Sequence, residues 1–346
     1  MTPGPARLPS VTAPGDVRTD APDVRMDVGS EDVRMGMGAP DVRMGVGAPD
    51  VRPAAPGGAV PGQRPGTIAP VTRFVVLGDS LSEGVGDRVG GTWRGWAALL
   101  AVALGPCGHK VAFTNLAESG AQSREVAERQ LPAALALEPQ LASVVVGVND
   151  TLRRTFDIER LARSLDRVCG ELAASGAVLL TACLPDPGRM LGLPGPLARP
   201  LARRQRAVNA VVHALSGRYD AVHLHLDGPA WTLDRSLWSA DRLHPGERGH
   251  RAIAAAFHRL LQDRGLAHGA PPSPDPEQPP PTRTDAVLWL ATAGSGWLVR
   301  RCHDLLPQLL LLAAAELRHS VTGTGDRLDA RAEHALSTAL AATMGE

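Results

Sequence analysis

From Arg73 onward the chain alternates between short apolar runs and longer amphipathic stretches. The runs Phe74–Leu77, Val111–Leu116, Ser143–Val148, Val178–Ala182 and Ala221–Leu226 are bounded by Gly, Asn or Pro. Nearly continuous apolar segments of this length predict strands covered on both faces. Between them lie helical patterns. The clearest is Asp157–Ser175, where Ile158, Leu161, Ala162, Leu165, Val168, Cys169 and Leu172 fall on one stripe and Gly176 is placed to stop the helix. Arg203–Ser216 and Glu247–Arg264 repeat the pattern and end at Gly217 and Gly265. Trp93 and Trp96 are expected to open a further helix and to pack in the core. Strands and helices in alternation predict an α/β architecture, a parallel sheet of about five strands with helices on both faces.

The flanks are patterned differently. Asp-Val-Arg recurs at Asp16, Asp23, Asp32, Asp41 and Asp50 among Gly, Pro, Ala and Met, and such a segment cannot bury enough apolar surface to offset the entropy of ordering it. Residues 1–70 are therefore expected to form a disordered tail. The folded α/β segment is expected over 71–268, a Pro-rich linker over 269–283, and a small helical appendage over 284–346. Leu305, Leu306, Leu309, Leu310 and Leu312 make the most apolar patch of that appendage. It is expected to pack on the α/β segment or on a second copy of the chain, with an interfacial membrane contact as the weaker reading.

Composition narrows the function classes. Lys plus Arg and Asp plus Glu are equal at 36 each, so no field steers a charged polymer and nucleic acid is not an expected partner. Cys107, Cys169, Cys183 and Cys302 lack metal-ligand spacing and read as buried thiols in a reducing compartment. No stretch approaches the roughly 18 apolar residues of a spanning helix, and the first thirty residues carry no apolar core of a signal peptide, which makes a cytoplasmic location the expectation.

Candidate chemistry sits at the ends of the predicted strands. Gly78-Asp79-Ser80-Leu81 follows the first apolar run, and Asp241 precedes His244 by one turn's length. A serine hydroxyl attacks a carbonyl only if a base takes its proton, and that base needs a third group to fix its tautomer. On a tight turn or one helical turn, Asp241 can accept the Nδ1 proton of His244 and leave Nε2 for Ser80, with Pro245 stiffening the turn. Asn115 through Gly120 and Gly147-Val148-Asn149-Asp150 follow two further runs. In a parallel sheet these ends share one edge, so Ser80, Gly120 and Asn149 are expected to converge there.

Four blocks in this order, Gly78 to Gly84, Asn115 to Gly120, Gly147 to Asp150 and Asp241 to Pro245, make the segment from about Arg73 to His268 resemble the SGNH (GDSL-type) hydrolases, a superfamily of serine esterases, lipases and acyl hydrolases. The resemblance implies a three-layer α/β/α flavodoxin-like domain without cofactor or metal, acting on small-molecule, acylated-sugar or lipid esters. It also implies Ser80 as nucleophile, His244 as general base, Asp241 as its orienter, and Ser80 N–H, Gly120 N–H and the Asn149 amide as oxyanion donors. Asn115-Leu116-Ala117 departs from the more usual Asn-x-Gly opening of the second block.

Other residues read as structural. His223 and His225 share one side of a strand, yet the sequence offers no third ligand at useful spacing, so metal binding is not expected. Gly84, Gly86, Gly90 and Gly91 lack the pattern of a phosphate cradle and are expected to shape the loop beside Ser80. Asp79 and Asp150 are expected to organise loops as hydrogen-bond acceptors, and Pro185–Pro200 to form a surface loop, with a mobile lid as the alternative. Two rival functions remain at this level: a metal-dependent phosphoesterase, and a catalytically silent carbohydrate- or partner-binding module.

Overall fold

In a computed structural model, residues 70–277 and 308–345 are described. Compactness divides the chain into Met1–Gly62, which lies outside them, and Gln63–Glu346, to which everything below belongs. The expected disordered tail, the linker beyond 277, residues 284–307 with Leu305 and Leu306, and Cys302 also lie outside the described residues.

Five strands form one parallel sheet: β1 (Arg73–Gly78), β2 (Ala112–Asn115), β3 (Leu141–Val145), β4 (Val178–Cys183) and β5 (Val222–His225). Their order is β2-β1-β3-β4-β5. This is the flavodoxin-like winding, in which the chain steps to one side of β1 and then to the other and so opens a crevice where β1 and β3 meet. The three central strands β1, β3 and β4 are buried along almost their whole length, as their apolar runs predicted. The edge strands differ. β2 is half-exposed, and β5 alternates buried Val222 and Leu224 with the less buried His223 and His225, because only one of its edges is paired.

Side-chain alternation divides the interior into two cores. Val75, Leu77, Ala142 and Val144 point to one face, where α3 (Ile158–Ala174) and α4 (Gly195–Arg218) pack. Phe74, Val76, Leu141 and Val145 point to the other, against α2 (Gly95–Ala103) and α5 (Glu247–Asp263), where Trp96 and Phe257 stack with ring centroids 5.0 Å apart. All seven stripe positions expected on α3 are buried. Its start is fixed by the Asp157 carboxylate, which accepts the Arg160 N–H at 3.0 Å. Gly176 takes the left-handed conformation just beyond its end.

Three expectations change. Ser143–Val148 does not run as a strand to its end: Gly147 turns the chain, and Val148–Thr151 forms one helical turn that carries Asn149. Pro185–Pro200 is not a loop throughout, since Pro187–Met190 is helical and α4 begins at Gly195. Prolines in the first turns of a helix remove N–H groups that have no intrahelical partner there, and only Pro200 breaks into the regular ladder. Trp93 lies in a short hairpin, Arg88–Val89 paired with Thr92–Trp93, and is 41% exposed, whereas Trp96 is buried as expected.

In the second described stretch, a helix over 308–321 and α6 (Gly325–Met344) return to the body of the protein. Ala339 is buried against the α3–α4 face, with Ala335, Leu336 and Leu340 packed beside it. Arg203 of α4 pairs with Glu316 and Asp329. Leu310 remains exposed. No helix of the described residues is long and apolar enough to cross a membrane.

Candidate active site

The turn after β1 is built for close approach. A Cβ on Gly78 would sit 2.3 Å from the Val145 carbonyl oxygen, and its φ of +150° lies outside what side-chain-bearing residues readily adopt, so only glycine lets β1 end against β3 here. Asp79 then caps a single helical turn, α1 (Ser80–Glu83), by accepting the Leu81 N–H at 3.1 Å. Ser80 is thereby lifted to the carboxyl edge of the sheet. Gln130 locks the same turn from the α3 side: its Oε1 accepts the Gly78 N–H at 2.8 Å and its Nε2 donates to the Gly78 carbonyl at 3.0 Å. It reaches that position from a π-helical turn, Val126–Gln130.

Ser80 Oγ lies 2.8 Å from His244 Nε2, and His244 Nδ1 lies 2.6 Å from Asp241 Oδ2. A carboxylate can only accept, so Nδ1 carries the proton and Nε2 presents its lone pair to the serine hydroxyl. The Asp-x-x-His spacing is a tight turn, with Arg242 at φ +59°. Asp241 Oδ1 accepts the N–H groups of Leu243 and His244 at 2.9 and 3.0 Å and the Ser239 hydroxyl at 2.6 Å, so one carboxylate both closes the turn and orients the imidazole. Burial works to raise this carboxyl, but the hydrogen bond and charge of His244, with Ser239 and the His244 N–H, bring it down to about 2.

The glycine loop after α1 supports the histidine. A Cβ on Gly86 would stand 2.0 Å from the Pro245 carbonyl oxygen and 3.6 Å from His244 Cβ, which agrees with the expectation that these glycines shape the loop beside Ser80. The buried Asp87 receives Arg94, which also reaches Glu247 at the start of α5. His250, fully buried, accepts the Trp96 N–H on Nδ1 and donates Nε2–H to the Val85 carbonyl, which ties α5, α2 and this loop together. Burial is the main reason its pKa falls to about 4.

Asn149 and Ser119 line the same pocket as Ser80 and His244, while Gly120 follows Ser119 at φ +90°. Asn149 Nδ2 donates to Asp79 Oδ2 at 3.2 Å and to the Ala121 carbonyl at 3.1 Å. Asp150 accepts both the N–H and the hydroxyl of Ser123. Asp79 and Asp150 thus act as loop organisers, and burial raises each carboxyl to about 6. Asn115, at the departure in the second block, donates Nδ2 to the Ser82 carbonyl and accepts the Ala117 N–H, which shapes that loop without a glycine.

Away from Ser80 the pocket is apolar. Its cavity of about 240 Å³ is walled by Trp93, Trp231 and Trp238 and by aliphatic residues, among them Leu184, Met190 and Leu226. Gln130, His250, Trp231 and Trp238 escaped the sequence reading, and Trp93, expected in the core, lines the pocket instead. Outside this site, Cys183 and His213 come to the His223–His225 pair, which the sequence had left without further ligands. Cys169 and Cys183 are buried as expected, but Cys107 is exposed.

Residues 76–252 match the GDSL-like lipase/acylhydrolase family, just over half of the chain. The chain belongs to this family. No curated protein matches it by sequence. Among solved structures, the acetylxylan esterase Axe2 of Geobacillus stearothermophilus aligns at 18% identity over 58% of this chain and 98% of its own, with a TM-score of 0.46. LAE5, a hydrolase from the metagenome of Lake Arreo in Spain, aligns at 20% identity over 57% and 97% with a TM-score of 0.47, and TesA at 26% over 56% and 99% with a TM-score of 0.45. The family match spans Ser80, Gly120, Asn149, Asp241 and His244, so the blocks of this acylhydrolase family member and the geometry described above fall in one segment.

Proposed function

We propose that the protein is a serine esterase that cleaves carboxylic esters of apolar acyl chains through an acyl-enzyme intermediate. The observation that carries this reading is the Ser80–His244–Asp241 relay at the mouth of an apolar pocket, with contacts of 2.8 and 2.6 Å. In the first half-reaction His244 Nε2 takes the Ser80 proton as Oγ adds to the ester carbonyl, then returns it to the leaving alcohol. Water repeats the cycle and frees the acid. The oxyanion is held by the N–H groups of Ser80 and Gly120 and by Asn149 Nδ2, which turns one of its two hydrogens from its resting acceptor toward the new charge. Asp241, ionised throughout, supports the imidazolium that forms. The tryptophan and aliphatic walls favour an acyl chain over a bare acetyl group, because each buried CH₂ contributes about 0.8 kcal/mol.

A series of p-nitrophenyl esters of increasing chain length tests this. Rates should rise from acetate toward medium chains, and Ser80→Ala should lose on the order of 10⁴-fold or more in kcat while keeping the fold. A fluorophosphonate probe should label wild type at Ser80 and leave the variant unlabelled. Equal hydrolysis by both proteins sinks the assignment. Loss of activity to a chelator, with Ser80→Ala still active, would instead support a metal-dependent phosphoesterase.

A further inference from the structure

A second cluster of reactive side chains lies at the β5 edge of the sheet, on the α4 face. Cys183 ends β4 and is the register partner of His225 on β5, and Thr181 is likewise the partner of His223. Residues two apart on a strand share a face, so this ladder presents Cys183, His223 and His225 together. His213 joins them from α4, where Asn209, His213 and Ser216 follow one another at helical spacing on the side turned to β4 and β5. One ligand-type atom from each of Cys183, His213, His223 and His225 lies within 4.8 Å of the others.

We propose that these four side chains form a structural Zn²⁺ site that staples the edge strand β5 to β4 and α4. One thiolate and three imidazoles are four donors of the sulfur and nitrogen types that tetrahedral Zn²⁺ takes, and they suit neither Mg²⁺ nor Ca²⁺, which take oxygen ligands. Zinc–sulfur and zinc–nitrogen bonds of about 2.3 and 2.0–2.1 Å imply donor–donor edges of roughly 3.3–3.6 Å. Cys183 Sγ and His223 Nε2 already stand 3.2 Å apart, and the two outer imidazoles, His213 and His225, need only side-chain adjustment.

The surroundings of His223 match those of a metal-bound imidazole. The Ser216 hydroxyl donates to the Val212 carbonyl at 2.6 Å, so toward His223 Nδ1, at 3.0 Å, it can only accept. Thr181 Oγ1 lies 2.7 Å from Ser216 Oγ, to which it must give its hydrogen, and 2.9 Å from the same nitrogen, toward which it too can only accept. Nδ1 therefore carries the proton, and Nε2 turns its lone pair toward Cys183. Asp227, 3.8 Å from His225 Nδ1, offers a carboxylate partner for the second strand histidine. Binding expels the Cys183 proton, and a coordinated cation supplies the charge that makes the thiolate stable.

The site would also bear on the pocket without taking part in the reaction. Leu184 and Leu226, the residues next to Cys183 and His225, line the apolar wall. An ion tying the two strand ends together fixes the spacing of that wall.

Cobalt titration of the untagged full chain is the test, because Co²⁺ bound to a thiolate shows an intense sulfur-to-metal charge-transfer band. Wild type should develop the band at one equivalent, Zn²⁺ should abolish it by displacement, and elemental analysis should return one zinc per chain. Cys183→Ser and His225→Ala should lose the band, whereas Cys107→Ser should keep it. Ser216→Ala, which removes the support of His223 Nδ1, should weaken zinc by about 10–100-fold. His225 is exposed, so its variant tests the site without disturbing the core. Absence of the band in folded wild type, or a band that persists in His225→Ala and Cys183→Ser, overturns the proposal. Because these readouts do not involve ester hydrolysis, their failure would leave the Ser80 assignment untouched.

Discussion

At the scale of residues, single side chains around the relay do more than one job. Asp241 closes its own turn with two backbone N–H groups and orients His244 with its remaining oxygen. Asn149 links Asp79 to Ala121 and lines the pocket. Removing it should cost on the order of 10²–10³ in kcat, measured as steady-state ester hydrolysis by Asn149→Ala, with KM changing far less. An unchanged kcat would remove Asn149 from the proposed oxyanion site. Ser80, Asn149, Asp241 and His244 were legible because each sits in a short motif whose local chemistry is visible without neighbours. Gln130 and His250 were not. Their partners, Gly78 and Val85, lie 52 and 165 positions away, and nothing local marks a glutamine or histidine as buried.

At the scale of elements, the strand and helix pattern was readable wherever apolar spacing alone decides the structure. The α3 stripe was read completely because an amphipathic helix exposes its period of 3.6 directly. The stretch after Leu184 was misread because prolines that sit in helix-opening turns look, in a sequence, like loop residues. The π-turn that delivers Gln130 had no signature at all. Its value can be measured: Gln130→Ala strands the buried Gly78 N–H, which should lower stability by about 1–3 kcal/mol in urea unfolding. The same variant should reduce kcat more than it changes KM, since it loosens the turn that presents Ser80 rather than the acyl wall. A variant as stable and as active as wild type would show that β1 holds that turn unaided.

For the whole molecule, alternation of strand and helix specified the parallel sheet, and the β2-β1-β3 winding explains why motifs so distant in sequence share one edge. The Cys–His cluster stayed hidden for the complementary reason, as its members come from two strands and a helix that only the folded register aligns. Burial of His250 makes its share of the stability acid-labile in a defined window. His250 resists protonation until about pH 4, whereas the unfolded chain takes up that proton near the ordinary value of 6.5. Between these values the unfolded state binds more protons at this residue, so the His250 contribution to stability falls as pH falls, opposite in sign to that of the raised Asp79 and Asp150 carboxyls. His250→Gln should flatten the drop in Tm across this window relative to wild type, and an identical drop in both would assign the acid sensitivity elsewhere. The division of the pocket has a longer consequence. The proposed reacting atoms come from tight turns after β1, β3 and at the Asp241 corner, while much of the greasy lining comes from segments that follow β4 and β5. On the proposed function, drift in those later segments would retune diet, lengthening or blunting the chain that is accepted, and leave the bond-breaking apparatus unaltered.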